Sequence, residues 1–152
     1  MTNGLALDKQ VCFELYAASR AVTQLYRPVL DELGITYPQY LVLLVLWERG
    51  PRTVKQLGEA LALDSGTLSP LLKRLEASGL VDRVRSAEDE RSVSVSLTTA
   101  GEALRDRAAA IPRMIARATG LSASELANLR LTLKAVAETV CSQQLEPLME
   151  KK

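Results

Sequence analysis

Two cysteines are the side chains of this chain best suited to chemistry. Cys12 lies near the start of an expected helix, Cys141 lies near the end of another, and the chain contains no histidine. Histidine-based triads and cysteine–histidine pairs are therefore excluded, and two cysteines are too few for a structural zinc site. A helix N-terminus favours a thiolate, although Asp8 and Glu14 oppose it. Cys12 is a candidate redox sensor, and the alternative is a small buried hydrophobic residue.

A second group of side chains, on an expected helix after Asp64, has the pattern of a nucleic-acid contact surface. Its apolar positions recur at i, i+3, i+4 and i+7, which predicts one docking face: Leu68, Leu71, Leu72 and Leu75. The opposite face is small or polar and comprises Ser65, Gly66, Thr67, Ser69, Pro70, Lys73 and Arg74. Small residues allow close approach to base edges, and free N–H groups at the helix start favour phosphate. The alternative is an ordinary solvated face, since acidic and basic residues balance between Arg52 and Arg91.

A hairpin is expected directly after this helix. Residues 80–84 and 92–97 have strand character, and the second segment alternates apolar and polar residues strictly. The charged tip between them carries Asp89 and Arg91. Arg91 has the reach to enter a minor groove, and Asp89 could orient its guanidinium through a charge-assisted hydrogen bond. Helix, turn, helix and hairpin in this order predict a winged helix-turn-helix.

Composition supports a mainly helical protein with one small hairpin. The 152 residues are 47% hydrophobic and only 4% aromatic, with a net charge of +1, so no general affinity for nucleic acid follows from charge. No stretch reaches the ~20 apolar residues that span a bilayer, and no signal segment is recognised. We expect a cytoplasmic protein with reduced thiols, no metal and no membrane partner.

The remaining helices are placed by their capping residues. Asp8 is expected to cap a first helix that runs to Gly34 and bends at Pro28. Further N-caps are predicted at Thr36, Thr53, Asp64 or Ser65, Thr98 and Ser122. The helix after Thr98 is expected to reach about Ala118 with a bend at Pro112, and the last helix to continue to about Leu145.

Several segments resemble a known family. Leu80–Arg83, Asp89–Arg91 and Leu97–Gly101 are similar to the second half of MarR-type winged-helix regulators. Residues 11–13, 36–42 and 63–76 resemble the OhrR subgroup, the repressors that sense organic hydroperoxides. The similarity is specific over about Leu7 to Gly101, and the last two helices match mainly in type.

The resemblance implies a homodimer that represses a peroxide-detoxifying gene by binding a near-palindromic operator, with no cofactor. Residues 8–34 and 99–145 would form the dimerisation helices, and residues 36–98 the DNA-binding lobe. Cys12 matches the cysteine that organic hydroperoxides oxidise. Tyr26 and Tyr37 match two tyrosines that hydrogen-bond this sulfur from the partner subunit.

For DNA, the resemblance places Ser65, Gly66 and Thr67 at major-groove bases or phosphates. Arg83 would contact the DNA backbone, and Arg91, steadied by Asp89, would enter the minor groove.

Cys141 departs from the family pattern, in which a second, resolving cysteine lies earlier in the chain. We interpret it as structural, and the alternative is an intersubunit disulfide with Cys12 or with its own copy. Two rival functions remain open. One is a MarR-type repressor controlled by a small aromatic acid, and the other is a thiol peroxidase. The absence of histidine and of an obvious resolving cysteine argues against the enzyme.

Overall fold

The computed structural model describes residues 4–89 and 91–143. Two compact units are present, one ending at Ile111 and the other beginning at Pro112. The first unit holds a short 3₁₀ helix (Leu7–Lys9), α1 (Val11–Leu33), α2 (Tyr37–Arg49), β1 (Arg52–Thr53), α3 (Val54–Leu61), α4 (Ser65–Ala77), β2 (Val81–Arg85), β3 (Val93–Leu97) and α5 (Thr99–Ala108). Helix α6 (Ile111–Ala118) begins at the boundary, and α7 (Ala123–Cys141) belongs to the second unit. The expected mainly helical winged helix-turn-helix is confirmed.

Most helices begin where a local capping residue predicts. The side chains of Thr36, Thr53, Asp64, Thr98 and Ser122 each accept the backbone N–H three residues later. Each bond satisfies one of the N–H groups that a helix start leaves unpaired, and a lost cap costs about 1 kcal/mol. The order helix, turn, helix and hairpin therefore follows from short-range chemistry.

The expected cap at Asp8 is wrong. Helix α1 begins at Val11 after Gln10, whose side chain makes no capping bond to the helix. Asp8 lies in the preceding 3₁₀ helix, and the Gln10 Nε2 instead donates to the carbonyls of Gly4 and Ala6, at 2.6 and 3.2 Å. Cys12 is therefore the second residue of α1. The helix continues through Pro28 and stops as expected at Gly34, which adopts a left-handed conformation with φ 70°.

The expected single helix after Thr98 is two helices. Helix α5 ends at Ala108, and α6 begins at Ile111, one residue before Pro112. A proline ring collides with the carbonyl four residues earlier, which here belongs to Ala108, and it lacks the N–H that would bond it. Pro112 thus ends the first helix and is accommodated in the first turn of the second.

The hairpin belongs to a three-stranded antiparallel sheet in the order β1-β3-β2. The predicted pairing of β2 with β3 is confirmed, and Arg83 lies opposite Val95. Strand β1, whose Arg52 also pairs with Val95, was not predicted, because two residues show no periodicity. Buried apolar side chains join the sheet to the helices of this unit, including Leu43, Leu57, Leu68, Leu72, Leu75, Val81 and Val95.

Helix α7 spans 19 residues and contains no buried residue. Leu145, expected near its end, lies outside the described residues. Across the described chain, no single helix has the length and apolar composition needed to cross a membrane, although α1 and α2 together, bent by 73°, meet those criteria.

Candidate functional site

Helix α4 separates its two faces as the sequence predicts. Leu68, Leu71, Leu72 and Leu75 are at most 5% exposed. All seven residues predicted for the contact face are exposed: Ser65, Gly66, Thr67, Ser69, Pro70, Lys73 and Arg74. The polar face is therefore available to a ligand as large as a duplex.

The cap of α4 orders the start of this face. The Asp64 carboxylate accepts the backbone N–H of Thr67 at 2.8 Å and its hydroxyl at 3.1 Å. These bonds, the backbone bond first, hold the pKa of Asp64 below its usual value. The carboxylate consequently stays charged and keeps the first turn of α4 closed at neutral pH.

The tip of the hairpin is organised differently from the expectation. The Asp89 carboxylate accepts the backbone N–H of Arg91 at 3.0 Å, and the Asp89 carbonyl accepts the N–H of Ser92 at 2.8 Å. Among the described contacts Asp89 therefore fixes the backbone of the tip, and the expected bond to the Arg91 guanidinium is not the one formed. Arg91 itself is exposed.

A surface cleft of about 340 Å³ lies beside this tip, and its lining includes Lys55, Ser69, Arg83, Asp89 and Arg91. It brings residues of α3, α4 and the hairpin to one surface. Lys55 was not among the predicted contact residues, because a lone lysine on a short helix carries no signal until the fold brings it beside Ser69 and Arg91.

The guanidinium of Arg83 already has an acidic partner in the described structure. Its Nε and Nη2 donate to Glu76 Oε2 at 2.9 and 2.5 Å, which ties β2 to the last turns of α4. The hydrogen bonds from Arg83, reinforced by its charge, lower the pKa of Glu76. A phosphate would have to compete with a carboxylate for this guanidinium.

We predict that Glu76→Gln tightens operator binding and makes it more salt-dependent. The amide holds Arg83 less strongly, so the guanidinium becomes available to phosphate. Each added phosphate contact steepens the slope of log K against log salt by about 0.9. Fluorescence anisotropy titrations at several salt concentrations measure both effects.

Glu138→Gln is the matched control, because Glu138 is also ion-paired, to Lys134 at 3.7 Å, but lies on α7. It removes the same charge and should leave the slope unchanged. Weaker binding by Glu76→Gln at an unchanged slope would contradict the prediction and make the pair a purely structural link between α4 and β2.

Tyr26 and Tyr37 lie against each other although they belong to different helices. Their ring centroids are 4.8 Å apart, and Tyr40 adds a third ring at 5.8 Å from Tyr26 and 6.4 Å from Tyr37. Burial, followed by the neighbouring tyrosines, raises the pKa of Tyr26 to about 12, and burial raises the pKa of Tyr37. Both phenols therefore keep their protons at neutral pH and can act as hydrogen-bond donors.

Cys12 does not reach these phenols within one chain. It is free and exposed, and Tyr26 follows 14 residues later on α1. At the helical rise of about 1.5 Å per residue they are about 21 Å apart along the axis, and only about 40° apart around it. The sulfur and Tyr26 thus lie on the same face of α1, toward opposite ends of the helix. Cys141, the last residue of α7, is also free and exposed.

The fold and these sites define a winged-helix transcriptional regulator. The family described as transcriptional regulator SarA/Rot matches residues 24–107. The organic hydroperoxide resistance transcriptional regulator of Bacillus subtilis is 52% identical over 136 residues, which cover 90% of this chain and 92% of the relative. The chain belongs to the MarR-type regulators, in the organic hydroperoxide resistance (OhrR) subgroup, as the sequence resemblance predicted.

Solved structures agree with this placement. Reduced AbfR bound to DNA matches with a TM-score of 0.75 and 38% identity, covering 90% of this chain and 95% of that one. AbfR comes from Staphylococcus epidermidis and has also been solved over-oxidised on DNA and with a disulfide formed. PcaV of Streptomyces coelicolor, in complex with its natural ligand, matches with a TM-score of 0.81 and 25% identity, covering 90% of this chain and 97% of that one.

Proposed function

We propose that this chain is a homodimeric, cytoplasmic repressor that binds operator DNA and is released when an organic hydroperoxide oxidises Cys12. The observation that carries the proposal is that Cys12 and Tyr26 lie on one face of α1, about 21 Å apart, and that Tyr37 of α2 packs against Tyr26. Two copies of α1 that cross antiparallel would bring each sulfur to the tyrosines of the other chain. A two-fold axis produces both sites at once.

Exposed apolar surface supports the dimer. On α1 the side chains of Val11, Tyr16 and Leu25 are 70%, 61% and 42% exposed. Helix α7 has five such residues and buries none: Leu129, Leu131, Leu133, Val136 and Val140. A helix of this composition gains most of its stability from packing its apolar residues, so a second copy is the simplest partner for both surfaces.

The chemistry assigned to Cys12 needs a thiolate and hydrogen-bond donors. The thiolate attacks the terminal peroxide oxygen, the O–O bond breaks, and the products are a cysteine sulfenic acid and an alcohol after protonation. Position 2 of α1 places the sulfur where unpaired N–H groups favour negative charge. The protonated phenols of Tyr26 and Tyr37 of the partner subunit would donate to it.

The DNA-binding part of the proposal rests on the exposed face of α4 and on Arg91. A dimer presents two such helices, which must match successive major grooves about one turn apart. Lys55, Lys73 and Arg74 would contact phosphates, and Arg91 would enter the minor groove. Oxidation places a new polar group at the interface of the two α1 helices, which changes the spacing of the α4 helices and weakens binding.

A gel-shift titration tests the proposal. The probe is the DNA upstream of the gene for this protein, and the protein is titrated with and without cumene hydroperoxide while intact mass is recorded. We expect a shifted complex that disappears as one oxygen atom, or a thiol adduct, is added at Cys12. Unchanged binding by fully oxidised protein would refute the redox mechanism. Sustained peroxide consumption with a reductant, and no DNA binding, would instead support the thiol peroxidase.

A second candidate function is repression controlled by a small aromatic acid. It is favoured by a cleft of about 410 Å³ whose lining includes Arg27, Leu30, Ile35 and Tyr37. Arg27 can pair with a carboxylate, although Asp31 in the same lining opposes an anion, and Leu30 and Ile35 are apolar. Thermal stabilisation by salicylate-like acids, with DNA release by the acid and none by peroxide, would establish this alternative.

A further inference from the structure

Aromatic rings continue from the tyrosine pair into the core. Tyr40, only 2% exposed, contacts both Tyr26 and Tyr37, and on its other side lies 6.3 Å from Trp47, ring centroid to ring centroid, with the rings edge to face. Edge-to-face packing at this distance is attractive and directional. Displacement of either tyrosine therefore requires Tyr40 to move or a contact to be lost.

Trp47 links the aromatic cluster to a backbone atom that lies far along the chain. Its indole Nε1–H donates to the carbonyl of Gly101 at 3.0 Å, in the first turn of α5. Trp47 is half-buried, and a partly buried indole N–H needs an acceptor, so this bond fixes the first turn of α5 relative to α2.

The first turn of α5 is tightly packed on the joint between α4 and β2. A Cβ at Gly101 would stand 2.1 Å from the Leu80 carbonyl oxygen, which also accepts the N–H of Thr98 at 3.1 Å. The Thr98 hydroxyl donates to the Gly79 carbonyl at 2.6 Å. Leu80 in turn donates its N–H to the carbonyl of Leu75 in α4, at 3.1 Å. Contacts are thus continuous from Tyr26 to the last turns of α4.

We propose that Tyr40 and Trp47 are positioning residues that couple the state of the thiol site to the orientation of α4 and the hairpin. Loss of the phenol–sulfur bonds on oxidation moves Tyr26 and Tyr37. Tyr40 follows, and Trp47 transmits the shift to the Gly101 carbonyl and the α4–β2 joint. The inference rests on the proposed redox function, and it concerns how the signal travels rather than how it arises.

Trp47→Phe tests the coupling, because it keeps an aromatic ring and removes the donor to Gly101. Three quantities are measured: the rate of Cys12 oxidation by mass spectrometry, the operator Kd of the reduced protein, and the ratio of oxidised to reduced Kd. We expect the first two to stay within about twofold and the ratio to fall at least about fivefold, since couplings between sites are typically about 5- to 150-fold. An unchanged ratio overturns the inference, whatever happens to the melting temperature.

Arg107→Met is the matched control. Arg107 also joins α5 to another helix through a side-chain-to-backbone bond, from its Nη2 to the Glu32 carbonyl at 3.0 Å, but it lies outside the aromatic contacts. The Arg107→Met variant should keep the wild-type ratio of oxidised to reduced Kd. An equal loss of coupling in this variant would overturn the specific role of Trp47. A wild-type ratio of about one would instead refute the proposed function itself.

The wild-type protein offers a second measurement should Trp47→Phe fold poorly. Trp47 is the only tryptophan of the chain, so fluorescence excited selectively at tryptophan rather than at the four tyrosines reports on this one site. Oxidation should shift its emission in wild type and not in Cys12→Ser. An emission spectrum that is unchanged while DNA is released would overturn the inference.

Discussion

Cys12→Ser should bind operator as tightly as the wild-type protein and should no longer be released by an organic hydroperoxide. Serine nearly preserves the size of the side chain, and Cys12 is exposed within the chain, so folding and the α4 surface should be unaffected. Its hydroxyl is not ionised at neutral pH and forms no sulfenic acid. The peroxide-induced change in Kd, expected at roughly 5- to 150-fold in wild type, should fall to about one.

The Cys141→Ser variant distinguishes the roles of the two thiols in the same assay. If the sulfenic acid at Cys12 is resolved by a small thiol, this variant is released normally and carries the same adduct. A linked peptide of Cys12 and Cys141 in the wild type, absent from Cys141→Ser, would make Cys141 the resolving cysteine and would reverse our structural interpretation of it. Normal release of Cys12→Ser would refute the sensing role of Cys12.

Gly101→Ala should destabilise the protein by about 3 kcal/mol, near the upper end for overpacking a close contact. The new Cβ would stand 2.1 Å from the Leu80 carbonyl oxygen and 3.1 Å from the Leu97 Cδ2. The carbonyl cannot move aside easily, because it accepts the Thr98 N–H that precedes the same helix. Helix α5 must shift, which also strains the Trp47 bond. For a chain of this length we expect the melting temperature to fall by roughly 10 °C.

Gly66→Ala is the matched control for stability, since it is also a glycine inside a helix. Its added Cβ would meet only one oxygen of the Asp64 carboxylate, at 3.1 Å, a side-chain atom that needs to shift only slightly, and alanine is the better helix former by about 1 kcal/mol. Its melting temperature should match or exceed that of wild type. The comparison is made by calorimetry at one protein concentration, because subunit association adds to apparent stability. A melting temperature of Gly101→Ala close to wild type would show that α5 can move freely away from Leu80.

Much of the fold could be predicted because its signals are short in range. A capping residue acts on an N–H three positions away, so Thr36, Thr53 and Ser122 marked their helices without any tertiary information. The errors arose where two local signals competed. Asp8 looked like a cap, but Gln10 bonds back to the preceding segment, and the Pro112 signal was a break rather than a bend.

The candidate sites also combine features that local sequence predicts with contacts that it does not predict. The exposed face of α4 followed from leucine spacing, because burying four leucines on one side leaves the other side to solvent. The contacts around this face did not follow from the leucine spacing. Glu76 and Arg83 meet only because β2 folds back along α4, and Asp89 bonds the backbone of Arg91 rather than its guanidinium. Such partners depend on the path of the chain, which no spacing rule encodes.

Local patterns in the sequence are sufficient to place the capped helix starts, the two faces of α4, the hairpin, and a thiol near the start of α1. These features depend on residues within about one or two turns of each other. The approach of the Tyr26 ring to within 4.8 Å of the Tyr37 ring, and the bond from the Trp47 indole to the carbonyl of Gly101, could not be predicted from the sequence and are seen only in the folded chain. The physical reason is that these contacts join segments up to 54 residues apart, and packing of the shared core sets their distance.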